Sequence, residues 1–148
     1  MEHEEYMRQA LALAREALET GDVPVGCVIA GPDGRIVGRG RNRREERGGA
    51  TAHAEVEAIR DACAQLGSWR LAGCTLYVTL EPCPMCAGAI INARLSAVRY
   101  GAKDEKAGAC GSVLNLFEER FNHRHRLYGG LLAEECAAVL REFFEGLR

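Results

Sequence analysis

At 148 residues with 47% hydrophobic content, the chain has room for one compact domain, spanning residues 1–148, and none for a second core. Nineteen Lys and Arg against 21 Asp and Glu leave a formal charge of -2 and a pI near 6.1, which excludes a globally polybasic nucleic-acid binder, so any polyanion contact must be local. The acidic, amphipathic start MEHEEYMRQALALAREALE is unlike a signal peptide and no stretch approaches the ~20 apolar residues of a membrane span, while seven cysteines scattered through apolar segments read as reduced thiols; together these point to the cytoplasm.

From Glu4 to Thr20 the apolar positions Tyr6, Ala10, Leu11, Ala14, Ala17 and Leu18 recur at three and four, the helical period. PVGCVIAGPDGRIVGRGRN predicts two strands around a PDG turn. TAHAEVEAIRDACAQLG predicts a second helix, with Thr51 as its cap and Gly67 just past its end. CTLYVTL is an apolar, β-branched run of strand length, and CPMCAGAIINAR resumes helical spacing. AVRYGA predicts a fourth strand, VLNLFEER a short helix, RLYGGL a fifth strand and AEECAAVLREFF a closing helix. Strands alternating with helices, led by one antiparallel hairpin, predict an α/β sheet covered by helices on both faces.

The stretch LEPCPMCAGAI places Cys83, flanked by Pro82 and Pro84, three positions before Cys86, at a predicted helix start where both thiols project from one face. Unpaired N–H groups and the positive dipole end favour thiolate there. Redox exchange, structural zinc and catalytic zinc all use such a pair. Upstream, TAHAE offers His53 and Glu55. Alone these read equally as a helix-start histidine followed by a glutamate that favours the dipole. Combined with Pro-Cys-x-x-Cys they form the His-x-Glu…Pro-Cys-x-x-Cys signature of zinc nucleobase deaminases.

On these motifs, with DVPVGCVIA, GRGRNR, LYVTLEPCPMCAGAI, GAKDEKAGACGS, NHR and ECAAVLREFF, the chain resembles the bacterial tRNA-specific adenosine deaminases (TadA type) of the cytidine deaminase-like superfamily, over nearly its whole length. The resemblance implies a three-layer α/β/α fold with a mixed five-stranded sheet, a homodimer, and a tRNA anticodon loop as substrate. It implies one Zn2+ per chain on His53, Cys83 and Cys86, leaving one position for a water whose pKa falls toward roughly 7. Glu55 is the expected proton shuttle, ionised at rest: it takes the water's proton, passes it to the ring nitrogen beside the reacting carbon and protonates the departing amine, turning adenosine into inosine at the first anticodon position. Asn42 matches a base-binding asparagine, the Ala54 N–H a pocket donor, Asp104 and Asn122 contacts to neighbouring nucleotides, and Phe144 an aromatic against a flanking nucleotide. Asn42 reads equally as a strand-ending turn residue, and Phe143 and Phe144 as core.

Cys27, Cys63, Cys74, Cys110 and Cys136 read as small core residues, though any one of them as a fourth ligand would make a structural zinc module instead. A thioredoxin-like pair would leave HAE without a role. RIVGRGRNRREER gathers Arg35, Arg39, Arg41, Arg43, Arg44 and Arg47, and NHRHR adds Arg124 and Arg126, an expected local surface for RNA. Two departures from the family pattern stand out: Glu145 where a basic residue commonly follows the paired phenylalanines, and GGATAHAE in place of an aspartate-proline before the threonine. Deamination of a free base or nucleoside, of guanine or cytosine type, is the alternative activity.

Overall fold

A computed structural model describes residues 1–147. The elements are α1 (His3–Ala17), β1 (Gly26–Ala30), β2 (Ile36–Arg41), α2 (Arg44–Arg47), α3 (Ala54–Leu66), β3 (Thr75–Leu80), α4 (Pro84–Ala93), β4 (Ala97–Ala102), β5 (Arg126–Tyr128) and α5 (Ala133–Glu145), with 3-10 turns at Leu18–Thr20 and Leu116–Glu118. The sheet order is β2-β1-β3-β4-β5; β1 runs antiparallel to β2 and β3, and β3, β4 and β5 run parallel. The expected mixed five-stranded sheet is therefore present.

Side chains alternate across a strand, so each strand supplies two faces. Cys27, Ile29, Leu76, Val78 and Val98 pack with Ala54, Ala58 and Ala62 of α3 and Ile90 of α4. Val28, Ala30 and Tyr77 pack on the other face with Tyr6, Met7 and Ala10 of α1 and Cys136 and Val139 of α5. With both faces covered, β1 and β3 must be apolar nearly throughout, as they are. No described helix is long and apolar enough to cross a membrane.

Two local expectations are corrected, and one short helix appears where no element was expected. The second long helix starts at Ala54, with His53 in extended backbone (φ -84°, ψ 153°) as its N-cap; Thr51 lies in a turn whose carbonyl accepts the His53 N–H at 2.8 Å. Gly67 ends it as expected, in the left-handed region at φ 63°. VLNLFEER forms only the Leu116–Glu118 turn, because Asn115 bridges Cys110 and its side chain accepts the Phe117 N–H, local bonding that competes with a helix. The charge run around Arg44 is a short helix, α2, whose Glu45 N–H donates to Asp22 at 2.7 Å, an aspartate also held by the Thr20 hydroxyl at 2.6 Å. Arg41, 8% exposed, ties that corner together through Thr20 Oγ1 (3.2 Å), the Asn42 carbonyl (3.0 Å) and Glu46 (3.0 Å).

The edge strand β2 meets α3 backbone to backbone. A Cβ on Gly40 would overlap the Ala54 carbonyl and the Ala58 nitrogen, and one on Gly38 the Ala58 carbonyl. That approach sets the first turn of α3 beside Asn42, just past the end of β2. Gly40→Ala should therefore lower stability by about 1–3 kcal/mol, the cost of forcing a methyl into packed backbone. A urea midpoint equal to the parent's would show that β2 and α3 are less tightly apposed.

Candidate functional site

Two helix starts meet at one end of the sheet. The β3–α4 turn makes Cys83 the N-cap of α4 and places Pro84 in its first turn, where a missing N–H costs nothing; Cys86 follows inside the helix, fully buried. His53 caps α3, and Glu55 sits in its first turn, 4% exposed. His53 Nδ1 lies 3.7 Å from Cys83 Sγ and 3.4 Å from Cys86 Sγ. The three ligand atoms all fall within 4.8 Å of one another. A tetrahedral zinc with bonds of ~2.0 Å to nitrogen and ~2.3 Å to sulfur holds such atoms about 3.6 Å apart, so the spacing and the donor set both fit that metal.

Among the described residues no fourth His, Cys, Asp or Glu joins this group. Cys27, Cys74, Cys110 and Cys136 are buried and Cys63 is partly buried, as expected of small core residues. A three-ligand group argues for an open site over a closed structural one. Glu55 is outside the ligand group, which leaves its carboxylate free for proton transfer.

The electrostatics are mutually dependent. Hydrogen bonding from Cys86, then from His53, pulls the Cys83 thiol down to about 4, and the bond to Cys83 raises His53. The same sulfur contact, with burial, pushes Cys86 up. Burial pushes Glu55 up to about 7, against the expected ionised resting state; a divalent cation at the neighbouring ligands acts in the opposite direction.

A cavity of about 520 Å³ opens beside this group, a size suited to a small ligand. Val23, Val25, Asn42, His53, Glu55 and Cys83 form its more buried side, Lys103–Ala107, Leu140 and Phe144 its more exposed side, and Arg44, Leu80 and Glu81 complete the lining. The predicted residues Asn42, Glu55, Asp104 and Phe144 are thus brought together. Asn122 is exposed and does not line the cavity. Ala54 acts through its backbone: its N–H donates to Asn42 Oδ1 at 3.0 Å, while Asn42 Nδ2 donates to the Val23 carbonyl at 3.0 Å. Two groups read separately from the sequence are bonded to each other.

The arginine run is largely spent on the protein itself. Arg43 pairs with Glu46, Arg47 with Glu57, Arg35 with Asp33, and Arg41 is buried; of the six, Arg44 lines the cavity. Lys103 and Lys106, which the charge pattern did not single out, line it too. Their signal was proximity to Asp104 within GAKDEKAG.

The chain matches the MafB19-like deaminase family over residues 1–148. It is 49% identical to a tRNA-specific adenosine deaminase of Bacillus subtilis over 144 residues, covering 97% of this chain and 89% of that protein. It is 50% identical to a tRNA(Ile)-lysidine synthase of Deinococcus deserti over 142 residues, 96% of this chain but 27% of that protein, so it spans about a quarter of that relative. Among solved structures, a tRNA:A34 deaminase that carries out A-to-I editing at the wobble position of transfer RNA superimposes with a TM-score of 0.88 at 46% identity, over 92% of this chain and 99% of that one.

Metal titration of the chelator-treated chain should find one tight divalent-ion site per chain, and replacing both thiols, Cys83→Ala with Cys86→Ala, should abolish it. Stoichiometric metal in that double variant would move the site elsewhere.

Proposed function

The chain belongs to the MafB19-like deaminase family, and on that footing we propose that it deaminates adenosine to inosine at the wobble position, the first of the tRNA anticodon, by zinc-dependent hydrolysis. The observation that carries this reading is the cavity itself: a buried carboxylate beside a three-ligand metal group on its more buried side, and a rim built of Asp104, Lys103, Lys106 and Phe144.

His53, Cys83 and Cys86 would hold the zinc, one per chain, whose contribution when bound is to acidify a water toward a pKa of about 7. Glu55 accepts that water's proton and delivers it to the ring nitrogen next to C6; once the hydroxyl has added at C6, Glu55 takes its remaining proton and gives it to the departing amine as the C6–N bond breaks and the C6 carbonyl forms. Adenosine and water become inosine and ammonia. Burial raises the Glu55 carboxyl while a cation on the neighbouring ligands lowers it, and these opposed influences suit a group that must both take and give a proton. Asn42 keeps one amide hydrogen and further acceptor capacity after its bonds to Val23 and Ala54, and turns them to the base edge. The Ala54 N–H orients Asn42 in this arrangement.

The rim supports RNA as the substrate. A base must leave its stack to reach the buried side, and this costs least in an unpaired loop such as the anticodon. Asp104 and Phe144 then meet neighbouring nucleotides, Lys103, Lys106 and Arg44 meet phosphates, and Asn122 reaches RNA that extends beyond the cavity. The whole of residues 1–148 acts as one deaminase domain in the cytoplasm. It works as a homodimer, a reading supported by Met85 of α4 and by Val113, Leu114 and Phe121, which expose apolar side chains.

Glu55→Ala should retain metal and fold while turnover falls by ~10²–10⁴, the scale of lost acid–base catalysis. A structural zinc module would be indifferent to that change. Inosine should form on an anticodon stem-loop carrying adenosine at the first anticodon position, should decline with added salt, and should be scarce from free adenosine. Comparable turnover of guanine, cytidine or adenosine assayed alongside would favour the free-base alternative.

A further inference from the structure

Glu81 takes no part in the chemistry above, yet it is 2% exposed and lines the cavity. Its two carboxylate oxygens accept four hydrogen bonds, all from one segment. Oε1 accepts from Asp104 N at 3.1 Å and from Ser112 Oγ at 2.5 Å. Oε2 accepts from Cys110 N at 2.9 Å and from Ser112 N at 3.1 Å. Gly108 lies against the same group, and a Cβ there would overlap the carboxylate. The segment 104–112 is folded around this one side chain.

The backbone on either side joins the same two pieces of structure. Glu81 N donates to the Ala102 carbonyl at 2.9 Å, and Ala109 N donates to the Pro82 carbonyl at 2.8 Å. Cys83 follows directly. The turn that carries one sulfur of the metal group is thereby fastened to the loop that carries Asp104, whose own Oδ1 accepts from Lys106 N and Ala107 N at 3.1 Å each. Without the carboxylate, three backbone N–H groups and a hydroxyl would be left in a poorly solvated place, and the loop would have to open to satisfy them.

We propose that Glu81 is a positioning residue: it fixes the 104–112 loop against the metal-bearing turn, so that Lys103–Ala107 meet the nucleotides flanking the target base in a preset geometry. The inference rests on the RNA reading of the cavity. It assigns Glu81 to substrate capture, distinct from the proton transfers of Glu55.

The test is Glu81→Gln in the metal-loaded full chain. The amide has the carboxylate's shape but turns one acceptor into a donor, which faces N–H groups on the loop. We expect unchanged metal content, a KM for the anticodon stem-loop raised at least about tenfold, the scale of one charge-assisted hydrogen bond, and a kcat within about threefold of the parent. Amide hydrogen exchange at Asp104, Cys110 and Ser112 should quicken while α3 and α4 keep their protection. Ser112→Ala, which removes one of the four donors, should raise KM in the same direction by less, and it decides the matter if the first variant does not fold. A fall in kcat at unchanged KM overturns the inference, because Glu81 would then act through the metal turn. An unchanged KM in variants of a parent that does convert the stem-loop overturns this inference alone, whereas a parent inactive on the stem-loop overturns the RNA reading and the inference with it.

Discussion

The arrangement of this protein turns on one electrostatic conflict. Four ionisable groups, His53, Glu55, Cys83 and Cys86, share a poorly solvated corner, and their thiols and carboxyl cannot all carry charge there unless a cation joins them. Burial and the proximity of the anions push Glu55 and Cys86 toward their neutral forms, while Cys83 is drawn to the thiolate. A divalent ion acts on all of them at once, because it is the strongest local charge: it reverses the upward shifts of His53, Glu55 and Cys86 and reinforces the thiolate at Cys83. The rest of the fold serves to bring these groups together. The β1–β3–β4 core aims the β3–α4 turn at one end of the sheet, where ligands of open α/β sheets gather, and the glycines of β2 let α3 come close enough to deliver His53 and Glu55 to the same point.

Much of this was legible in the sequence, and for a definite reason. Short apolar β-branched runs, helical period and the PDG turn are local signals, and they placed β1, β2, β3, β4, α1, α3, α4 and α5 to within a few residues. The metal group was legible only as a joint pattern: His-x-Glu and Cys-x-x-Cys are each ambiguous alone, and it is their combination that resembles the zinc deaminase signature. What escaped depends on particular side-chain and backbone contacts, near and far along the chain, that no periodicity marks. The arginine run reads as a free basic surface until Glu46 and Glu57 are seen folded onto it. Thr51 reads as a cap until the extended backbone at His53 is seen to take that place. Asn115 stops a helix that its neighbours would allow by bonding to its own backbone.

Glu81 shows the same limit from another side. In LEPCPMC the cysteines draw the chemistry, and the glutamate passes as a polar neighbour. The available signal was its position directly after an apolar strand and before a proline, where an acid has little solvated surface and so needs partners of its own. Which partners it finds, twenty to thirty residues further along, no periodicity encodes.

The cavity is graded in burial, and this grading would let one pocket combine enclosed chemistry with a large substrate. On the buried side Asn42 is 8% exposed and Glu55 4%, and the Asn42 amide is clamped between α3 and Val23, so the base would meet hydrogen-bonding groups already in place. At the rim Phe144 is 49% exposed and stands free to settle against whatever flanks the base. A free nucleoside can use only the buried side. An RNA loop gains from both, and contacts made far from the reacting carbon can be spent on pulling the base out of its stack and holding it in line with Glu55. On the proposed reading, selectivity for RNA over a nucleoside would therefore belong to the loop and the closing helix, while the metal group and Glu55 would serve any amine-bearing base that reaches them.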